Sequence, residues 1–139
     1  ENHYLPEYLQ QCREADPDGL YDMRTKEVEY CGKKFTGLLQ WTMSFGSCKK
    51  LVEETEMLQL VCYDAAHWKS IFGGVMYAAV IPSANKNIIP LMFGFAPSED
   101  AETSEYFTKL FQKQFPGKEF IWINDQGSGI ASEVKMLTI

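Results

Sequence analysis

Histidine and positive charge are both scarce in this 139-residue chain. His3 and His67 are the only imidazoles, and the four cysteines (Cys12, Cys31, Cys48, Cys62) lie far apart without a C-x-x-C pair. A structural zinc site draws four Cys or His ligands at short spacings, so none is expected here. Lysine and arginine number 13 against 19 acidic residues, a net charge of -6. Surfaces that grip nucleic acid by general electrostatics are normally basic, so strong binding of that kind is not expected. An enzyme whose metal ions supply local positive charge stays open. No apolar run approaches the roughly 20 residues of a membrane span, and no targeting signal is visible. Cys62 sits in an apolar run and Cys12 on a helical face, which fits reduced, mostly packed thiols of an intracellular protein.

What the chain does have is apolar mass. Hydrophobic residues make up 45% and aromatics 14%, enough for one domain with a core. Leu5 to Ala15 reads as a helix, with Pro6 in its first turn and Leu5, Tyr8, Leu9 and Cys12 on one face. Asp16-Pro17-Asp18-Gly19 stops it. Leu20 to Tyr30 alternates loosely, as one or two short strands do, and Cys31-Gly32-Lys33-Lys34 is a break. Phe35 to Met43 is ambiguous: Phe35, Leu38, Leu39 and Thr42 fit a helical face, and Gly37 weakens that reading. Gly46 ends this element, and Cys48 to Glu56 is a short helix or loop. The expectation for residues 1–57 is a mainly helical lead-in.

From Leu58 the pattern changes. Leu58 to Asp64 is a continuous apolar run ending on a carboxylate, as expected of a strand covered on both faces. Val75 to Ile81 and Ile88 to Ala96 are two more strands, joined by a turn at Ser83–Asn87; Pro90 suggests that the latter lies at a sheet edge. Ser98-Glu99-Asp100 opens a helix whose inner stripe is Tyr106, Phe107, Leu110, Phe111 and Phe115, and Pro116-Gly117 ends it. Phe120 to Asp125 is a fourth strand, again ending on an acid. Ser128 caps a last helix bearing Ile130, Val134 and Leu137. Short turns make the first three strands an antiparallel meander, and a right-handed crossover helix brings the fourth in parallel to the first. If these two are neighbours, Asp64 and Asp125 emerge at one end of strands ~4.8 Å apart. That separation suits carboxylates sharing divalent ions ~3.5–4 Å apart. Oxygen ligands point to Mg²⁺ or Mn²⁺, and such a site supports in-line phosphoryl displacement.

The segment Asp64-Ala-Ala-His67-Trp-Lys69-Ser-Ile-Phe72-Gly73-Gly74-Val75-Met-Tyr-Ala78-Ala79 resembles the D-[GA]-T-H-x-K-x-x-[FY]-G-G-x-L-x-x-A motif of the Mutator-like element transposase domain. The likeness continues through Ile89-Pro90-Leu91, Phe93, Ser98-Glu99-Asp100 and Tyr106-Phe107. It closes on Asn124-Asp125-Gln126-Gly127-Ser128-Gly129-Ile130, similar to the family's S-D-x-x-x-G-[LI]. Ala66 stands where the family usually has Thr. The resemblance implies an α/β, ribonuclease H-like fold over residues 58–139, preceded by N-terminal helices. It also implies a site in which Asp64 and Asp125 are catalytic acids holding two Mg²⁺ or Mn²⁺ ions for DNA strand cleavage and transfer. The family's third acid lies on a later helix, so the chain is expected to be incomplete at its C-terminus and inert alone. The full-length protein is expected to act on DNA as a homo-oligomer, in the nucleus if eukaryotic, with no membrane partner.

Several residues keep more than one reading. Glu99 is an auxiliary metal ligand, as in related nucleases, or a charge favourable to a helix N-terminus. His67 contacts phosphate, orients Asp64, or satisfies local backbone groups. Lys69 touches DNA phosphate or is simply solvated. Glu133, a turn into the last helix, invites confusion with the third acid, and solvent exposure is the reading preferred for it. For the whole chain, the alternative to an enzyme fragment is a domesticated, transposase-derived binding or regulatory module without catalysis.

Overall fold

The computed structural model describes residues 4–54, 59–69, 73–83, 85–124 and 136–138. Helix α1 (Tyr4–Ala15) is followed by strands β1 (Leu20–Tyr30) and β2 (Lys33–Ser44), then helix α2 (Gly46–Glu54). Strands β3 (Gln59–His67), β4 (Val75–Pro82) and β5 (Ile88–Ala96) come next. Helix α3 (Ala101–Gln114) and strands β6 (Phe120–Asn124) and β7 (Met136–Thr138) are the remaining described elements. All seven strands share one mixed sheet in the order β1-β2-β5-β4-β3-β6-β7. β3, β4 and β5 run antiparallel in turn; β6 lies parallel beside β3, and β7 parallel beside β6.

Residues 20–44 correct the expected helical lead-in. They form a long hairpin that joins the main sheet through three pairs, Trp41↔Phe95, Thr42↔Gly94 and Met43↔Phe93. A bulge explains the misleading helical spacing. Arg24 pairs with Gln40 but Thr25 pairs with Leu38, so Leu39 is an extra residue in β2. One extra residue shifts the two-residue alternation and puts apolar side chains three and four apart, as in a helix. The hairpin turns on Cys31 and Gly32, both at positive φ (52° and 74°), the left-handed pair that a two-residue turn requires. Gly46 begins α2 rather than ending the preceding element, and Leu137 lies in β7 rather than in a helix. The other residues of the expected last helix fall outside the described ones.

The core is built on one face of the sheet. Phe107 of α3 is fully buried and sits 4.7 Å from the Tyr77 ring and 5.5 Å from that of Tyr63. Phe111 reaches Trp122 and Phe120 at 4.7 and 5.0 Å. Asp100 caps α3 by accepting the Thr103 N–H at 2.8 Å. Its carboxyl is held below its usual range by the Ser98 hydroxyl and then by that N–H. α1 lies on the opposite face, where Leu9 meets Tyr21 and Met43, residues that alternate with Leu20 and Thr42. Asp16 joins three elements, accepting the Tyr21 hydroxyl at 2.7 Å and the Gly46 N–H at 2.8 Å.

β5 is not an edge strand, since it runs between β2 and β4, although β2 does not pair alongside Pro90. Its missing N–H is tolerated because the pairing with β2 spans only Phe93–Phe95, and a bulge at Leu91 offsets it from β4. Its carbonyl accepts from Cys48 Sγ at 3.3 Å. All four cysteines are free; Cys48 is buried, and Cys31, at the hairpin tip, is exposed rather than packed.

A polar network crosses the core beside α3. The buried Gln40 donates to the Tyr77 hydroxyl at 2.7 Å and accepts from Arg24 at 2.9 Å. Arg24 also reaches Glu102 at 3.1 Å and lies 4.4 Å from the centre of the Tyr106 ring. Burial pushes the Tyr77 hydroxyl from 10.0 up to about 12. A phenol whose folded-state value is raised contributes stability that is complete below pH 10 and lost as pH climbs through 12. Urea titrations between pH 9 and 12 should show unfolding free energy falling across that window. The fall should be shallower in Tyr77→Phe, and equal slopes would rule Tyr77 out as a cause.

Candidate functional site

Asp64 lies inside β3 rather than at its carboxyl end. The strand continues to His67, which pairs with Val75, and Asp64 pairs with Ala78. Among the described residues, the parallel pairing with β6 reaches as far as Tyr63↔Asn124. The register therefore sets side by side the residues that immediately precede Asp64 and Asp125. Asp125 itself is outside the described residues, as are Gln126 to Ile130 and Glu133.

Alternation divides β3 into two unequal faces. Val61 and Tyr63 are buried towards α3, whereas Leu60 and Asp64 point to the other side and are exposed. The strand is thus covered on one face, not two. The neighbour of Asp64 on β4, Ala78, ends at a methyl group and leaves space beside the carboxylate. One carboxylate oxygen, Oδ1, accepts the Ala65 N–H at 2.9 Å. An exposed oxygen donor of this kind fits a hard divalent cation, which keeps several waters.

Glu99 is exposed in the connection between β5 and α3. Burial raises the Tyr63 hydroxyl above its ordinary value, and the charges of Glu99 and Asp64 both add to the rise. His67 falls on the other face of β3 from Asp64, three residues away in an alternating strand, so the strand gives it no route to orient that acid. Lys69 is exposed just after β3. Trp68 stacks edge-on against Phe95 at 5.7 Å, and its N–H donates to the Gly74 carbonyl at 2.8 Å, closing the β3–β4 connection. Gly73 and Gly74 have φ of 64° and 108°. A Cβ on Gly74 would come within 2.4 Å of the Phe95 ring, so this motif glycine has a local structural reason.

Among the described residues no group of three or more His, Cys, Asp or Glu side chains is placed to hold a metal ion. The Arg24–Gln40–Tyr77 network is absent from the sequence reading because its members come from β1, β2 and β4. The available signal was Gln40 and Thr42, polar residues inside an apolar stretch.

The chain matches no protein-family model, no curated protein and no solved structure. Among the described residues, no helix is long and apolar enough to cross a membrane.

Proposed function

We propose that the chain is the N-terminal part of a Mutator-like transposase catalytic domain with a ribonuclease H-like fold. Asp64 and Asp125 are its first two metal-binding acids, and Glu99 is an auxiliary one. The observation that supports this best is the parallel β3–β6 register, which pairs Tyr63 with Asn124, the residues preceding the two acids. The sequence likeness from Asp64 to Ala79 supplies the family. Mg²⁺ or Mn²⁺ held by these carboxylates would supply the charge that stabilises phosphoryl displacement. DNA is the substrate, the full-length protein works as a homo-oligomer, and the nucleus is its place in a eukaryote.

The test is Mn²⁺ binding, followed by water proton relaxation. The unmodified chain should bind weakly, and Asp64→Asn and Asp125→Asn should each lower affinity by about tenfold, since charge count sets affinity for hard cations. Binding that is indifferent to both substitutions would overturn the paired-acid site and favour a regulatory module without catalysis.

A further inference from the structure

The β1–β2 hairpin extends well past the sheet that anchors it. Among the described residues β2 pairs with β5 only at Trp41, Thr42 and Met43, and residues 25–38 form a two-stranded ribbon with no third described strand beside it. Its direction follows from the pairing. β2 is antiparallel to β5, and β5 is parallel to β3 because both are antiparallel to β4. The ribbon therefore leaves the sheet at the carboxyl end of β3 and β6, the end towards which Asp64 and Asn124 lie.

Its two faces differ in charge. Cross-strand partners share a face, and the pairs Lys26↔Gly37, Val28↔Phe35 and Tyr30↔Lys33 make up one of them. That face has two lysines, no acid and three exposed apolar or aromatic side chains: Val28, Tyr30 and Phe35 are 48%, 72% and 52% exposed. The other face, with Glu27↔Thr36 and Glu29↔Lys34, holds both glutamates of the ribbon. Neither Lys26 nor Lys33 is ion-paired among the described residues. On an acidic chain, two of the ribbon's three lysines and both its aromatic rings lie on one side of a projecting arm, opposite both glutamates.

We propose that this face of the ribbon holds duplex DNA. Two strands ~4.8 Å apart with their side chains match the ~12 Å width of a major groove, which admits a two-stranded β-ribbon. Lys26 and Lys33 contact phosphates on either side of the apolar pair Val28–Phe35, and Gly37 leaves the backbone bare beside Lys26. Glu27 and Glu29 repel phosphate from the reverse side and so fix which face is used. The choice of DNA over other polyanions rests on the transposase reading.

The experiment is fluorescence anisotropy of the whole chain with a labelled 20-base-pair duplex, in EDTA at 50–200 mM salt. Leaving out the metal separates this test from that of the paired acids. The unmodified chain should bind at the lowest salt. Lys26→Ala/Lys33→Ala should weaken binding about tenfold and lower the salt slope by about two, close to one per lost phosphate contact. Lys34→Ala, on the reverse face, should change affinity less than twofold. A loss of affinity from Lys34→Ala of about threefold or more, half the double variant's effect in free energy, would mean unselective electrostatics and overturn the proposal. So would no binding at 50 mM, or sedimentation showing a dimer that Val28→Glu dissociates while the lysine variants leave DNA binding unchanged. The last outcome would make the ribbon a contact between copies of the chain.

Discussion

Phe107→Ala should destabilise the fold by about 3–5 kcal/mol, the range for truncating a buried phenylalanine. Its side chain is completely removed from solvent and meets Tyr63 and Tyr77, on two adjacent strands, within 5.5 Å. Two costs combine: the lost transfer energy of the ring, and the cavity left between α3 and a sheet too rigid to close it. The two tyrosines limit relaxation. Tyr77 is tied to Gln40 by a 2.7 Å hydrogen bond, so it cannot tilt into the space without leaving one N–H of that buried amide without its partner. Urea unfolding followed by tryptophan fluorescence measures the effect. A loss below about 1 kcal/mol would mean that α3 settles onto the sheet and that the tyrosines are less constrained than the network implies.

Gly94→Ala should cost about 3 kcal/mol, at the upper end of the range for overpacking, and the damage should be confined to one seam. A Cβ there would lie 2.3 Å from the Trp41 carbonyl oxygen and 2.7 Å from the Tyr77 hydroxyl. A carbonyl in a ladder cannot rotate aside as a side-chain tip can. Gly94 pairs with Thr42 at the centre of the three pairs that attach the hairpin to the main sheet. The strands must therefore separate there, whereas the eleven pairs within the hairpin are untouched. Hydrogen exchange should show amides of residues 41–43 and 93–95 losing protection while the β1–β2 ladder keeps most of its own. Uniform loss along β1 and β2 would show that the hairpin cannot hold its shape without β5.

The two substitutions probe parts of the fold that were unequally legible. α1 and α3 could be read because their apolar residues repeat at helical spacing and because Pro6, Asp16-Pro17 and Pro116-Gly117 mark their limits. The buried face of α3 is the stripe that the spacing of Phe107, Leu110 and Phe111 indicates. β2 could not be read. Its bulge at Leu39 imitates a helical period, and the Gly94 contact that seats it comes from a residue some fifty positions later. The position of Asp64 within its strand was hidden for a similar reason. An apolar run shows where burial stops, whereas β3 continues because Ala65, Ala66 and His67 still find partners on β4. Pro90 misled because a missing N–H matters only where a neighbour needs it, and β2 does not reach that far.

The placement of Asp64 within β3 also bears on the order in which the chain assembles. β3, β4 and β5 are joined by short connections, so their pairing closes small loops; β6 reaches β3 only after the whole of α3 has been made. Until then β3 is an outer strand presenting Leu60, Val61, Cys62 and Tyr63 to any similar segment nearby, the arrangement on which chains aggregate. A carboxylate directly after this run opposes in-register pairing of two copies, since the like charges would be brought face to face. The acid proposed here as a metal ligand would thus also disfavour pairing between nascent or refolding chains before β6 has docked.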